Sequence, residues 1–212
     1  AGFVMSLIAA SLDAFATPRH GHHRRADQGL QLELMSDMLD TRGSWLSEDD
    51  LSLARERLPM VYVDALPVRV NALGEITAIG LLLRGRHDGS LSRAVVSGRV
   101  LYGELLRHAL LRHIEKDLGT MALPRIPSSI VPFTVAEYFP DPEVTGFVDP
   151  RQHAVSLCYI VACDGDCVPS QDALDLAWVT PQEALSYTFQ AEMTGGQGRL
   201  VRLALAHCGY LD

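Results

Sequence analysis

A glycine-led segment in the middle of the chain carries most of the residues that could do chemistry. Gly98 is followed after five residues by Glu104 and after seven more by Arg112, and residues 113–119 read HIEKDLG. This spacing predicts a strand that enters a glycine loop, then a helix with charged side chains at positions i, i+3 and i+4. Oxygen ligands on one helix face are how a protein holds Mg²⁺ near a phosphate.

This segment resembles the Nudix box, G-x5-E-x7-R-E-U-x-E-E-x-G-U, in which U is apolar. The matching positions are Gly98, Glu104, Arg112, Ile114 and Gly119. Asp117 stands where the family has its last glutamate. Residues 76–84 and 178–185 resemble the strand before the substrate loop and the segment that closes the family's core. The resemblance covers about residues 60–207. More narrowly, the chain resembles an actinobacterial Nudix-like family.

The resemblance implies a fold and an activity. The expected fold class is α/β, a Nudix-type α/β/α sandwich with a mixed sheet, over residues 43–212. Residues 1–42 are expected to be an N-terminal helical extension. The implied activity is hydrolysis of a nucleoside diphosphate-linked substrate, in which water attacks a phosphoryl group and Mg²⁺ or Mn²⁺ neutralises charge. Glu104, Arg112 and Glu115 are the predicted catalytic residues, and Asp117 and His113 the predicted metal ligands.

The box departs from the family at its metal positions. In the family, the glutamate after the arginine and the later glutamate pair supply the ligands, but this chain has His113, Lys116 and Asp117 there. An ammonium about 4 Å from a divalent ion repels it by a few kcal/mol at an effective dielectric constant of about 20. His113 and Asp117 could hold a softer metal such as Mn²⁺ or Zn²⁺. Glu115 could join them if the helix register were shifted, and so could a late carboxylate such as Glu137, Asp141 or Glu143.

A second function of a different class is therefore weighed beside hydrolysis. In this alternative the chain is a non-catalytic module, without a cofactor, that uses the Nudix cleft to bind a nucleotide or a partner protein. The replacement of two of the three family carboxylates by His113 and Lys116 favours this alternative on physical grounds, whereas the family resemblance favours hydrolysis. Lys116 would then replace the charge of the metal and bind a phosphate directly. Glu104 and Arg112 also fit a structural ion pair between loop and helix.

Basic residues near the expected cleft support an anionic, nucleotide-type ligand. Arg84, Arg99, Arg151 and Lys116 are the predicted substrate-binding residues, because guanidinium and ammonium groups suit phosphate oxygens. Lys116 is the one lysine of the chain, against 17 arginines.

Composition excludes several other classes. Acidic minus basic residues is 26 − 18 = 8, and the resulting charge of −8 argues against a nucleic-acid-binding protein. The chain contains no unbroken stretch of 18 apolar residues, so no membrane span is predicted. The four cysteines do not form the two tight pairs of a zinc site, and free thiols indicate a reducing, cytoplasmic location. Residues 1–16 are apolar at helical spacing without a basic leader, and this helix needs an apolar partner such as a second copy in a homodimer.

The remaining pattern predicts alternating strands and helices. Helices are predicted over 47–57, 104–118 and 197–207, with another starting at the capping sequence Thr180-Pro181-Gln182-Glu183. Strands are predicted over 61–66, 68–72, 76–83, 94–97, 131–138, 154–162 and 174–179.

Overall fold

The computed structural model describes residues 45–85, 89–170 and 173–211. The helical extension predicted over residues 1–42, and with it the homodimer contact, lie outside the described residues and stay predictions. None of the helices in the described ranges is long and apolar enough to cross a membrane.

Seven strands and six α-helices form the described part of the chain. The strands are β1 (Met60–Val70), β2 (Ile76–Gly85), β3 (Leu91–Ala94), β4 (Val96–Arg99), β5 (Thr134–Tyr138), β6 (Ala154–Ala162) and β7 (Ala173–Val179). The helices are α1 (Glu48–Arg57), α2 (Leu106–Leu118), α3 (Pro142–Thr145), α4 (Pro181–Leu185), α5 (Tyr187–Ala191) and α6 (Gln197–His207), and a 3₁₀ turn covers Thr120–Ala122.

The strands join in one mixed sheet. The order is β3-β2-β1-β6-β5, with β4 also paired to β1 and β7 to β2. The β1–β6 pair is parallel and the other pairs are antiparallel. A mixed sheet covered by helices confirms the predicted α/β class.

Strand β1 is continuous where the sequence predicted two strands separated at Pro67. Its antiparallel partner changes at that residue, because β4 pairs with positions 62–65 and β2 with positions 68–70. Pro67 has no N–H to donate, and it lies in the gap between the two ladders. Strand β6 pairs with β1 across the whole gap, from Met60 to Val68, and keeps the strand intact.

Alternation along β1 separates two apolar cores. Val63 and Ala65 pack with the apolar face of α2, whereas Leu66 and Val68 pack with residues of α6. Successive side chains of a strand point to opposite faces, so α2 and α6 cover opposite faces of the sheet. These layers are the expected α/β/α sandwich.

Helix boundaries follow local signals. Helix α1 begins after Ser47, whose Oγ accepts the Asp50 N–H, and α4 has the predicted capping box between Thr180 and Glu183. The predictions for β6 and α6 match the observed bounds, 154–162 and 197–207. Helix α2 begins at Leu106, two residues later than predicted. Glu104 belongs to the loop before it, where its carboxylate accepts a hydrogen bond from the Leu101 N–H.

Candidate functional site

Glu104 and Arg112 fasten the glycine loop to α2. Arg112 donates from Nε to Oε1 and from Nη2 to Oε2 of Glu104, both at 2.7 Å. The Leu101 N–H donates to the same carboxylate at 2.9 Å, and Arg112 also donates to the Arg99 carbonyl at 3.0 Å. Burial by itself would raise the pKa of Glu104, but the hydrogen bonds from Arg112 and Leu101 outweigh it and lower that pKa. This two-pronged, charge-assisted contact makes the pair a structural clamp.

His113 fills the space that Gly98 leaves open. A Cβ atom at position 98 would lie 1.8 Å from Cε1 of the imidazole. The ring is buried, and its Nε2 lies 3.0 Å from the Arg99 carbonyl, which can only accept a hydrogen bond. Burial, with added repulsion from Arg112 and Lys116, lowers the pKa of His113 to about 4. His113 is therefore neutral at pH 7 and packs the loop against the helix.

Asp117 forms an ion pair with Arg84 of β2. Nη2 of Arg84 lies 2.5 Å from Oδ2 of Asp117, and the two side chains are 24% and 1% exposed. A buried carboxylate is stable in the protein interior when a cation and hydrogen bonds compensate it. The guanidinium thus supplies positive charge directly against the carboxylate that the sequence predicted as a metal ligand.

The box side chains of this chain do not fit a divalent metal centre. Glu104 is held by Arg112, Asp117 by Arg84, and His113 by a backbone carbonyl. Across the described ranges, no group of three or more His, Cys, Asp or Glu residues could hold a metal ion. Glu115 lies partly buried on α2, where burial raises its pKa, and it joins no such group. Mg²⁺ in proteins is usually bound through one or two carboxylates together with water and substrate phosphates, and the Glu104 and Asp117 carboxylates each face a guanidinium instead.

The other predicted binding residues lie in different places. Arg151 lines the large cavity described next, and its guanidinium makes an ion pair with Asp149 at 2.9 Å. Arg99 is partly buried, with its guanidinium 6.0 Å from the centre of the Trp45 ring. Lys116 is partly buried in the last turn of α2, and its carbonyl accepts a hydrogen bond from Ser170. Of the four predicted substrate-binding residues, Arg84 and Arg151 line this cavity.

A cavity of about 950 Å³ opens on the sheet. Its lining includes Tyr62 and Asp64 of β1 and Ser156 of β6, on the same strand faces as the core that packs on α6. The cavity floor therefore lies on the face of these strands opposite to α2. Arg84 reaches both sides, because it lines the cavity and also contacts Asp117 of α2.

The floor contains a buried carboxyl group that sequence reasoning missed. Asp64 is 2% exposed, and its Oδ2 accepts the hydroxyl hydrogen of Tyr138 at 2.9 Å. Burial raises the pKa of Asp64, and the Tyr138 hydrogen bond, with the Ser97 and Ser156 hydroxyl groups nearby, offsets part of this effect. The available signal was a single charged residue inside the apolar run VYVDALPV. A strand carboxylate between buried residues indicates a polar site on one face of the sheet.

Comparison with known proteins agrees with the fold and the box. Residues 41–210 match the family model described as "Domain of unknown function (DUF4916)". No curated protein matches the chain. A solved structure from Jonesia denitrificans is 59% identical, with a TM-score of 0.72, and the match covers 74% of this chain and 98% of that one. It is described as one of the "possible asymmetric diadenosine tetraphosphate (Ap(4)A) hydrolases".

More distant solved structures share the fold. The NUDIX domain of Shewanella oneidensis NrtR, complexed with ADP-ribose, is 15% identical with a TM-score of 0.52, covering 76% of this chain and 98% of that one. A NUDIX hydrolase from Nitrosomonas europaea is also 15% identical with a TM-score of 0.52, covering 73% and 96%. The mixed-sheet sandwich agrees with these similarities, so the chain has the Nudix fold and belongs to the DUF4916 family.

Proposed function

We propose that this protein binds a nucleotide in the cavity on its sheet, with the phosphates near Arg84 and without the metal centre of Nudix hydrolases. The single observation that carries the proposal is the position of Arg84. Its guanidinium pairs with Asp117, and Arg84 is also one of the residues that line the cavity. A guanidinium has five N–H donors in a planar fork, so donors remain for phosphate oxygens after one contact to a carboxylate.

The size and polarity of the cavity support a nucleotide-sized ligand. Ligand pockets usually have volumes of about 300–1,000 Å³, and this one is about 950 Å³. Arg84 and Arg151, each paired with a carboxylate (Asp117 and Asp149), supply guanidinium N–H donors, whereas Asp64, Ser97 and Ser156 supply hydrogen-bonding groups on the floor. This separation suits a ligand with an anionic chain and a polar, uncharged base. The description of the 59% identical relative supports a nucleoside polyphosphate as the ligand class.

Metal-dependent hydrolysis of a nucleoside diphosphate-linked substrate is the second candidate. The specific observation that favours it is the description of that same relative as a possible asymmetric Ap4A hydrolase. In this chain, Asp117 would first have to exchange the Arg84 guanidinium for a metal ion. The contacts of Glu104, His113 and Asp117 argue for the first candidate.

Calorimetric titration with ADP, ADP-ribose, diadenosine tetraphosphate and pyrophosphate separates the two candidates. Each ligand is titrated in EDTA and again with Mg²⁺ or Mn²⁺, and the same mixtures are assayed for released products. Binding that persists in EDTA, is lost in Arg84→Gln and is retained in the exposed-arginine control Arg202→Gln is the expected result. Product release with metal that disappears in Asp117→Asn would instead establish hydrolysis. Failure of every nucleotide to bind would refute the proposed function.

A further inference from the structure

We infer that Asp64 determines which base the cavity accepts, by receiving a hydrogen bond from an exocyclic amino group of the nucleobase. This inference rests on the proposed nucleotide-binding function and deepens it. Adenine, guanine and cytosine carry such an amino group, whereas hypoxanthine and uracil do not.

The first support is the unfavourable free energy of burying the Asp64 carboxyl group in the sheet. Its neighbours Val63 and Ala65 are buried in the core, and Asp64 itself is 2% exposed. Among the described residues, its partners are the Tyr138 hydroxyl and, at 4.0 Å, the Cys158 thiol, without an ion pair to a cation. A carboxyl group in such a position is destabilising unless further hydrogen bonds compensate it. It lines the cavity, so a ligand can supply those hydrogen bonds.

The second support is a hydrogen-bond chain with a fixed direction. The Val95 N–H, which can only donate, contacts Oε1 of Gln197 at 3.0 Å. The Gln197 amide must then present Nε2 to the Tyr138 hydroxyl oxygen, at 3.4 Å. Tyr138 in turn donates its own hydrogen to Oδ2 of Asp64. The chain fixes the orientation of the carboxyl group and leaves it with lone pairs as acceptors for a ligand.

The third support is the space above this carboxyl group. Strand β3 ends at Ala94 and β4 begins at Val96, and Val95 between them bonds to Gln197 rather than continuing a ladder. This interruption shifts the alternation of side chains, so that Ser92, Ala94 and Ser97 all line the cavity. Ser97 is directly opposite Asp64 in the β1–β4 register. Small residues at these positions leave room for a planar base against the floor.

Charge determines which end of a nucleotide can approach Asp64. A phosphate oxygen placed there would meet carboxyl lone pairs, whereas Arg84 and Arg151 attract phosphate elsewhere on the cavity wall. An amino group presents N–H donors to the carboxyl acceptor. A base carbonyl oxygen at the same place would put its lone pairs against those of the Asp64 carboxyl group. A site with buried polar groups discriminates strongly against such a mismatch.

Matched nucleotide pairs test the inference by calorimetric titration in EDTA. ADP and GDP are each compared with IDP, and CDP is compared with UDP. The expected result is that the amino-bearing member of at least one pair binds about tenfold or more tightly, the scale of one hydrogen bond to a charged group. Asp64→Asn, whose amide can donate to a carbonyl, is expected to remove or invert that preference. The control Asp175→Asn alters an exposed carboxylate of β7 and is expected to keep it.

A second variant covers the case in which Asp64→Asn does not fold. Tyr138→Phe keeps Asp64 but removes the hydroxyl that orients it, and we expect the preference to fall at least threefold. Nucleotides that bind without discrimination between amino and carbonyl bases would overturn the inference and leave the proposed function intact. A preference unchanged in the folded variants would also overturn it. If no nucleotide binds at all, the proposed function fails and the inference fails with it.

Discussion

The guanidinium of Arg84 lies 2.5 Å from the carboxylate of Asp117, across the last turn of the helix that carries the Nudix-type box. The pair joins β2 to α2, and its arginine also faces the cavity. Positive charge is therefore built into the chain at the carboxylate where the resemblance predicted a divalent cation. The pair links the stability of the helix to the binding properties of the cleft.

Removing Arg84 should destabilise the fold. Arg84→Ala removes the Arg84 guanidinium from the buried carboxylate of Asp117, and loss of one partner of a buried pair costs about 3–5 kcal/mol. Because Arg84 is one quarter exposed and water can partly replace it, we expect the lower end of that range. Urea denaturation at neutral pH measures the change. Arg84→Ala combined with Asp117→Asn should recover part of the loss, and a double variant no more stable than Arg84→Ala would contradict this account.

A metal site should require two changes rather than one. Lys116→Glu adds a carboxylate one residue before Asp117, but Arg84 still neutralises Asp117. We expect Lys116→Glu alone to show no gain in Mn²⁺ binding. Lys116→Glu combined with Arg84→Ala should bind Mn²⁺ measurably, because a carboxylate is added beside Asp117 and the Arg84 guanidinium no longer holds Asp117. Calorimetric titration with MnCl₂ gives the comparison, and a gain in the single variant would show that Lys116 is the main obstacle.

Gly98 should be intolerant of any side chain while His113 is present. A Cβ at Gly98 would lie 1.8 Å from the imidazole, which is shorter than any real contact. Gly98→Ala should therefore destabilise the protein by about 2 kcal/mol or more, since overpacking a buried site costs about 1–3 kcal/mol. Adding His113→Ala to Gly98→Ala should reduce that penalty. Thermal unfolding of the four proteins in this cycle measures the coupling, and simple additivity would refute the proposed contact.

Stability should fall on acidification through the buried histidine. The pKa of His113 is lowered in the folded protein, so the unfolded chain binds the extra proton first and draws the equilibrium toward unfolding as the pH falls. The contribution is fully present above the ordinary pKa of about 6.5 and is lost as the pH falls toward about 4. Between pH 7 and about pH 4.5, this histidine should account for about 2 kcal/mol. His113→Asn, which does not titrate, should lose less stability than the native chain over that interval, and parallel pH profiles would contradict the assignment.

The two glutamates of the box region should behave differently on neutralisation. Glu104→Gln weakens a two-pronged contact to Arg112, and we expect a loss of about 2 kcal/mol, the scale of hydrogen bonds between charged groups. Glu115→Gln alters a partly buried carboxylate whose charged form is already disfavoured, so its effect should be within about 0.5 kcal/mol. Equal effects in urea denaturation would argue against Glu104 as the clamp of the loop.

Local chemistry explains what the sequence determined. The capping box at Thr180, the bounds of α6 and the alternation of β6 were predictable, because the groups that determine them are close in the chain. The Nudix-type box was recognisable because a glycine, a glutamate and an arginine at fixed spacing form a local clamp. Gly98 illustrates the limit: its position at the start of the box was visible in the sequence, but the physical reason for a glycine there, the ring of His113, was not.

Tertiary structure decided the rest, because it brings together residues that are distant in the chain. Arg84 and Asp117 are 33 residues apart, and Tyr138 and Asp64 are 74 apart. The sequence showed that these side chains are charged or polar. Only the packing of β2 against α2, and of β5 beside β6, determined which of them are partners. The spacing of residues within α2 predicted a metal site. In the structure, the guanidinium of Arg84 from β2 instead compensates the charge of the Asp117 carboxylate. The sequence thus determined the scaffold and the tertiary contacts determined its chemistry, since electrostatic partnership depends on distance in space rather than along the chain.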